Sequence, residues 1–322
     1  MVPLISLALA VRMEQFVGID ISRDNLDVAV WPESEFQRFA NSSDGIEELV
    51  AKLLELNPTL VVYEPMGPMG RRVVAAMSAA GIPSAGINPW RIRSFARAMS
   101  RRSKTDRLDA ITIAEFAGTM RPTATEAPNK QELELHDLVG RRRQMSEMNR
   151  DEKIRKAHAG SEEAELSIDL HLEWIGKEIA RIDTLIDNAI EQRLDWSQKR
   201  ALLMTFKGIG PVVSAVLVAD LPELGLLGRG QIASLVGLAP MPWESGLAVG
   251  RRRIKGGRKR VRNALFICSM SAVARNSKMR EYFKRLREKG KPPKVARVAV
   301  MRKILIILNS MMRDGQAWDP GR

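Results

Sequence analysis

The chain has 322 residues, enough for two ordinary domains with buried cores. Its one cysteine, Cys268, excludes an internal disulfide and a cysteine-built zinc site, and suits a reducing cytoplasm. The net charge is +13 but unevenly placed: residues 251–322 hold 22 Lys/Arg against 4 Asp/Glu, or +18, which leaves −5 for residues 1–250. A positive field so concentrated gathers polyanions, and nucleic acid is the partner it implies.

Residues 1–13, "MVPLISLALAVRM", are apolar but lack the basic start of a signal peptide and are too short to span a bilayer. They read as an N-terminal extension, with Met13 an alternative start. No other run reaches transmembrane length, so no membrane partner is expected. "QFVGIDIS" (15–22) is an apolar strand ending on Asp20. "NLDVAVWP" alternates Leu26, Val28 and Val30 on one side and reads as a second strand; "FQRFA" offers a third. "SDGIEELVAKLLEL" opens with a capping signature and runs amphipathic. "TLVVYEP" (59–65) is a further buried strand, ending on Glu64, and "PMGRRVVAAMSAAG" is a helix stopped by Gly81. "IPSAGIN" is a strand, and "PWRIRSFARAM" is a helix with proline in its first turn. "SKTDRLDAITIAEFA" (103–117) begins another helix, with Asp106 and Asp109 on one face of its first turn. Strands in a row, then strand and helix alternating, predict an α/β domain over about 14–128.

Residues 129–197 are polar, helical and almost free of glycine and proline. Ile168, Leu172, Ile175, Ile179, Ile182 and Ile186 recur at steps of four and three, the a/d seam of a coiled coil, although a helix packed on its own domain gives a similar pattern. "HAGSEE" reads as the tip of a helical hairpin. A coiled coil here favours a homo-oligomer, dimer or tetramer. Residues 198–322 read as a helical domain. "FKGIGPVVSAVLVAD" carries a Gly-Ile-Gly turn of helix-hairpin-helix type, whose backbone amides and Lys207 suit phosphate. An irregular Pro/Gly-rich loop through "PMPWESG" follows, then a helix from about 258 and a last helix through "KPPKVARVAVMRKILIILNSMM".

Two sets of residues suggest chemistry. Asp20 and Glu64 end strands, where open α/β sheets bind ligands, and Asp106 and Asp109 start a helix. Four carboxylates suit Mg²⁺ or Mn²⁺ and metal-assisted phosphoryl transfer, although acids at such positions are also common structural features. Asp24 and Asp27 read as structural, one in a turn and one within a strand. Arg251, Arg252, Arg253, Lys255, Arg258, Lys259, Arg260 and Arg262 put eight cations in twelve residues, a phosphate-contacting segment or else a solvated loop. Lys104 and Arg107 flank the helical acids and face either phosphate or those acids. Trp90 and Trp243 suit base stacking as well as they suit a core. The histidines His136, His158 and His171 form no ligand motif.

"GIDIS…LDVAV", "YEP", "NPWRIRSFARA" and "KTDRLDA" resemble the RuvC-like, ribonuclease-H-fold domain of the Piv-type invertases and IS110-family insertion-sequence transposases. "FKGIGPVVSAVLVAD", "LVGLAPMPWESG" and "RRRIKGGRKRVRNALFICSMSA" resemble that family's C-terminal domain. The resemblance implies that Asp20, Glu64, Asp106 and Asp109 form the DEDD tetrad. It also implies that Ser245, otherwise an ordinary loop serine, attacks DNA to form a phosphoserine link. Donor and target DNA and an element-encoded guide RNA are the implied partners. The turn after Glu64, "PMGPMGRR", departs from the family's Thr-Gly-Gly-Tyr-like turn, which puts substrate positioning there in question. A water-using junction resolvase would need the tetrad but not Ser245, and a non-catalytic nucleic-acid binder would need neither. A sugar-kinase-like ATPase also opens on "GIDIS" but would need glycine-rich phosphate loops that this chain lacks.

Overall fold

The computed structural model describes residues 14–65, 67–101, 105–241, 244–245, 248–249 and 253–319. Lys104, Trp243, Arg251 and Arg252 lie outside the described residues. The chain divides into two compact units, Met1–Pro128 and Asn129–Arg322.

The first unit is built on five strands: β1 (Phe16–Ile21), β2 (Asn25–Trp31), β3 (Glu35–Ala40), β4 (Leu60–Tyr63) and β5 (Ser84–Gly86). Their order is β3-β2-β1-β4-β5. β1, β2 and β3 pair antiparallel, and β4 and β5 continue parallel to β1. This antiparallel meander with parallel strands added beyond β1 is a ribonuclease-H-like mixed sheet. Period-two alternation divides each strand between two faces. Val17, Ile19 and Ile21 join Leu26 and Val28 beneath α1 (Ser43–Leu56) and α2 (Arg71–Ala79). Phe16, with Leu60, Val62 and Ala85, packs toward α3 (Pro89–Ala98) and α4 (Asp106–Met120). Asp20 and Asp27, opposite each other in the β1–β2 register, are offset by one residue from the Ile19–Val28 pair and so lie on the α4 side.

Caps fix the helices that matter for the site. Thr105 accepts from the amide of Leu108 and starts α4, while Asn88 accepts from the amide of Trp90 and starts α3. The first turn of α4 therefore holds Asp106 and Asp109 at a defined height above the sheet.

The second unit is helical. α5 (Lys130–Lys156) and α6 (Glu162–Glu191) form an antiparallel pair, fastened by Arg142 to Asp183 at 2.7 Å, Glu152 to His171 at 3.0 Å and Lys156 to Asp169 at 2.6 Å. Ile175, Ile182, Ile186 and Ile190 of α6 share one core with Leu135, Val139 and Met145 of α5. That core continues into α7 (Leu194–Met204), α8 (Pro211–Asp220), α9 (Arg229–Val236), α10 (Lys259–Arg275), α11 (Ser277–Glu288) and α12 (Pro293–Asp314). Gly208, in the turn between α7 and α8, has φ +125° and presses on α10, where a Cβ would lie 2.9 Å from Ala272. Among the described residues, no helix is long and apolar enough to cross a membrane.

The region expected as an irregular loop is partly paired. Met241 and Arg253 exchange backbone hydrogen bonds, and β6 (Glu244–Ser245) pairs with β7 (Ala248–Val249). The prolines at 240 and 242 hid this short ladder from a reading of local pattern.

Candidate functional site

Asp20 is the fifth residue of β1, and Glu64 follows the last residue of β4. β1 and β4 are parallel neighbours with Ile19 opposite Tyr63, so the register sets Asp20 beside Glu64. Asp106 and Asp109 come down from above, on the first turn of α4. The approach is close because strand and helix meet through small residues: Gly18, Ala29, Ala110 and Ala114.

The electrostatics record this gathering. Asp20 is raised from 3.8 to about 6, first by burial and then by the negative charges of Asp109, Glu64, Asp106 and Asp27. The structure thus brings Glu64, Asp106 and Asp109 within the electrostatic reach of Asp20. Among the described residues, no three His, Cys, Asp or Glu side chains stand close enough to hold a metal ion as they are.

Two further residues belong to the cluster. Asp27, read from sequence as structural, is fully buried; Arg38 donates to its Oδ1 at 2.7 Å, and its Oδ2 has no hydrogen-bond partner. The same guanidinium reaches Asp106 at 3.4 Å. Arg38 stands opposite Asp27 in the β2–β3 register, a pairing that could have been found by aligning the two strands' alternation. The Arg107 guanidinium lies over the Phe36 ring at 5.4 Å. Asp24 is exposed and loosely paired with Arg23, as befits a turn.

In the second unit, the basic segment divides into two groups. Arg258 forks onto both carboxylate oxygens of Glu223 and also donates to the Asp220 carbonyl at 3.0 Å. Burial alone would raise the Glu223 carboxyl, but Arg258 outweighs it and holds it below the usual range. Arg260 donates to His136 Nε2 at 2.9 Å and lies 3.7 Å from the largely buried Asp220 carboxylate. Arg262 donates to the carbonyls of Val236 and Gly256. These three, expected to contact phosphate, are engaged inside the unit, because Asp220 and Val236 at the ends of α8 and α9, Glu223 after α8, His136 of α5 and the Gly256 carbonyl face the start of α10. Arg253, Lys255 and Lys259 are exposed, as is Lys207. The backbone of Ser245 lies in β6, paired with Ala248. Cys268 is buried, which pushes its thiol up to about 12 and removes it as a nucleophile.

A family model described as "Transposase" matches residues 17–158, and one described as "Transposase IS116/IS110/IS902 family" matches residues 200–284. The chain is similar to the pilin gene-inverting protein of Moraxella bovis, with 25% identity over 94% of this chain and 97% of that one. It is also similar to a putative transposase of Sinorhizobium fredii, with 25% identity over 78% of each chain. Among solved structures, T. thermophilus RuvC in complex with a Holliday junction substrate aligns with 34% of this chain and 98% of that one, at 16% identity and a TM-score of 0.27.

Proposed function

The chain belongs to the IS116/IS110/IS902 family of transposases, and from that premise we propose how it breaks and rejoins DNA. It is a DNA transposase/recombinase. The observation that carries the proposal is the convergence on Asp20 of Glu64, Asp106 and Asp109.

Asp20, Glu64, Asp106 and Asp109 are the residues that would hold a divalent cation, Mg²⁺ or Mn²⁺. The fit rests on the donors: hard oxygens at a site where burial, and then the neighbouring carboxylates, raise Asp20 to about 6. A bound cation would supply charge neutralisation at the phosphate. The chain supplies the rest. The Ser245 hydroxyl forms a bond to phosphorus while the bond from phosphorus to a DNA oxygen breaks, and that oxygen leaves with a proton. The phosphoserine keeps the bond energy, so a second DNA hydroxyl can reverse the step and restore Ser245 without ATP. Arg253, Lys255, Lys259 and Lys207 are exposed cations suited to hold the backbone.

The +18 C-terminal quarter also suits an element-encoded guide RNA. For oligomerisation, the Ile175–Ile190 seam is already occupied by α5. Leu166, Leu170 and Trp174, on another face of α6, are exposed and available to a second copy.

The test combines recombination of a supercoiled plasmid bearing the element ends with capture of protein-linked DNA after denaturation. Wild type should yield recombinants and a covalent adduct, and Ser245→Ala neither. Asp20→Asn and Asp109→Asn should abolish both. Recombination by the Ser245→Ala variant would rule out the serine mechanism and favour a hydrolytic resolvase. RNA co-purifying from the host, mapped to DNA flanking the element, would support guidance; bulk ribosomal or transfer RNA alone would oppose it.

A further inference from the structure

Helix α3 presents a tryptophan and arginines that no part of the proposed chemistry uses. Trp90, one of the aromatic residues that sequence left between core and base stacking, is 62% exposed. Its backbone is nonetheless fixed, because its amide is held by Asn88 at 2.9 Å. Trp90, Arg93 and Arg97 follow at i, i+3 and i+7, so they line one face of the helix over about 10 Å. The other face is anchored: Ile92 is buried, and Phe95 meets Phe116 edge-on with centroids 5.5 Å apart.

Among the described residues, the stripe has no charge partner. α3 contains no acid, and among the described residues neither Arg93 nor Arg97 has a partner. The concentration is local. Seven of the fourteen Lys/Arg in residues 1–128 fall within 89–107, where Asp106 is the one acid. In the chain α3 is followed by α4, whose first turn carries Asp106 and Asp109.

We propose that the Trp90–Arg93–Arg97 face of α3 binds an unpaired segment of the DNA substrate, with Trp90 stacking on a base and the two arginines holding successive phosphates. This rests on the recombinase reading above and adds to it a binding surface and a preferred DNA form. An exposed indole on a fixed backbone loses little entropy on ordering and offers a π-face that any base can use. Duplex DNA hides its base faces and gives Trp90 nothing to stack on. The choice of DNA over RNA follows from the place of α3 in the chain, immediately before the helix that carries two of the carboxylates expected to act on DNA.

The test uses full-length protein and fluorescein-labelled probes: a DNA single strand, its duplex and an RNA strand of the same sequence. Trp90→Ala should weaken single-stranded DNA binding roughly tenfold and leave duplex binding within about twofold. Trp90→Phe should restore most of the loss. Arg93→Gln with Arg97→Gln should lower the log–log salt slope on single strands by about 0.7 for each phosphate no longer neutralised. A 5-iodouracil-substituted DNA strand should photo-crosslink to Trp90. Unchanged single-strand binding by Trp90→Ala, with no crosslink on α3, overturns the proposal, while duplex binding by the same preparation leaves the recombinase reading standing. An equal or larger loss on RNA overturns the assignment to DNA. No DNA binding by wild type in any form sinks both.

Discussion

A Cβ on Gly18 would lie 2.2 Å from the backbone nitrogen of Ala114, so strand β1 and helix α4 meet backbone to backbone. Asp20 is two residues beyond Gly18 on the same face, and Asp109 precedes Ala110, which crowds the same spot at 2.5 Å. The contact sets the height of α4 above the sheet, and with it the separation of the carboxylates. Gly18→Ala should therefore cost about 1–3 kcal/mol by overpacking and weaken Mn²⁺ binding together with stability. Urea unfolding and Mn²⁺ titration by electron paramagnetic resonance measure the two separately. A variant of normal stability and normal Mn²⁺ affinity would show that the contact does not set the site.

Asp20 gives a pH dependence with a definite sign. Its folded value, about 6, lies above the unfolded 3.8, so the folded state binds the extra proton. Its contribution to stability is fully present below pH 4, falls between pH 4 and 6, and is lost above. In metal-free protein, Asp20→Asn should then stabilise the fold at pH 7.5 by roughly 1–2 kcal/mol, once solvent screening of this partly exposed carboxyl is allowed for, and should confer no gain at pH 3.5. Divalent cation should remove the wild type's deficit at pH 7.5 but leave the variant's melting temperature unmoved. Denaturant melts at the two pH values, with and without Mg²⁺, decide it.

The carboxylates were legible in sequence because local pattern fixed each: an apolar run ends just before or after the acid, or a helix cap precedes it. Asp27 and Arg38 were not. Their significance arises from register across three strands, and Asp27 taken alone is only a polar residue in an alternating segment. The dual roles within the basic segment were hidden for the same reason: Glu223 and Asp220 are more than 30 residues from Arg258 in sequence. α11 escaped notice because Asn276 ends α10 and caps α11 with no intervening loop. The exposure of Trp90 likewise depends on which face of α3 meets α4, and no period within ten residues settles that.

Arg38 is the charge partner of Asp27 and touches Asp106, so its loss leaves a buried carboxylate unpaired beside Asp20. Arg38→Met should lower the melting temperature. Asp27→Asn added to it should restore stability, since the uncompensated charge is removed with its partner. A double variant no more stable than Arg38→Met would mean that the pair is not coupled. Mn²⁺ affinity supplies a second readout: Arg38→Met should change it through Asp106, whereas a loop-anchoring arginine would not.

The two groups of basic residues in the second unit should separate experimentally. Arg258 forks onto Glu223 and also donates to the Asp220 carbonyl, at the junction of α8 and α10. Removing it leaves a partly buried carboxylate without its donor, which costs about 1–3 kcal/mol. Arg258→Gln should therefore lower stability first, and reduce DNA affinity no more than the unfolded fraction explains. Lys255 and Lys259 are exposed and, among the described residues, hold no such pair. Lys255→Gln with Lys259→Gln should leave the melting temperature unchanged, weaken DNA binding and lower its log–log salt slope by about 0.9 for each duplex phosphate that is no longer neutralised. Glu223→Gln tests the same division from the other side: it should resemble Arg258→Gln in stability, yet leave the salt slope of DNA binding as in wild type. A lower salt slope in the folded fraction of Arg258→Gln would return that arginine to the nucleic-acid surface.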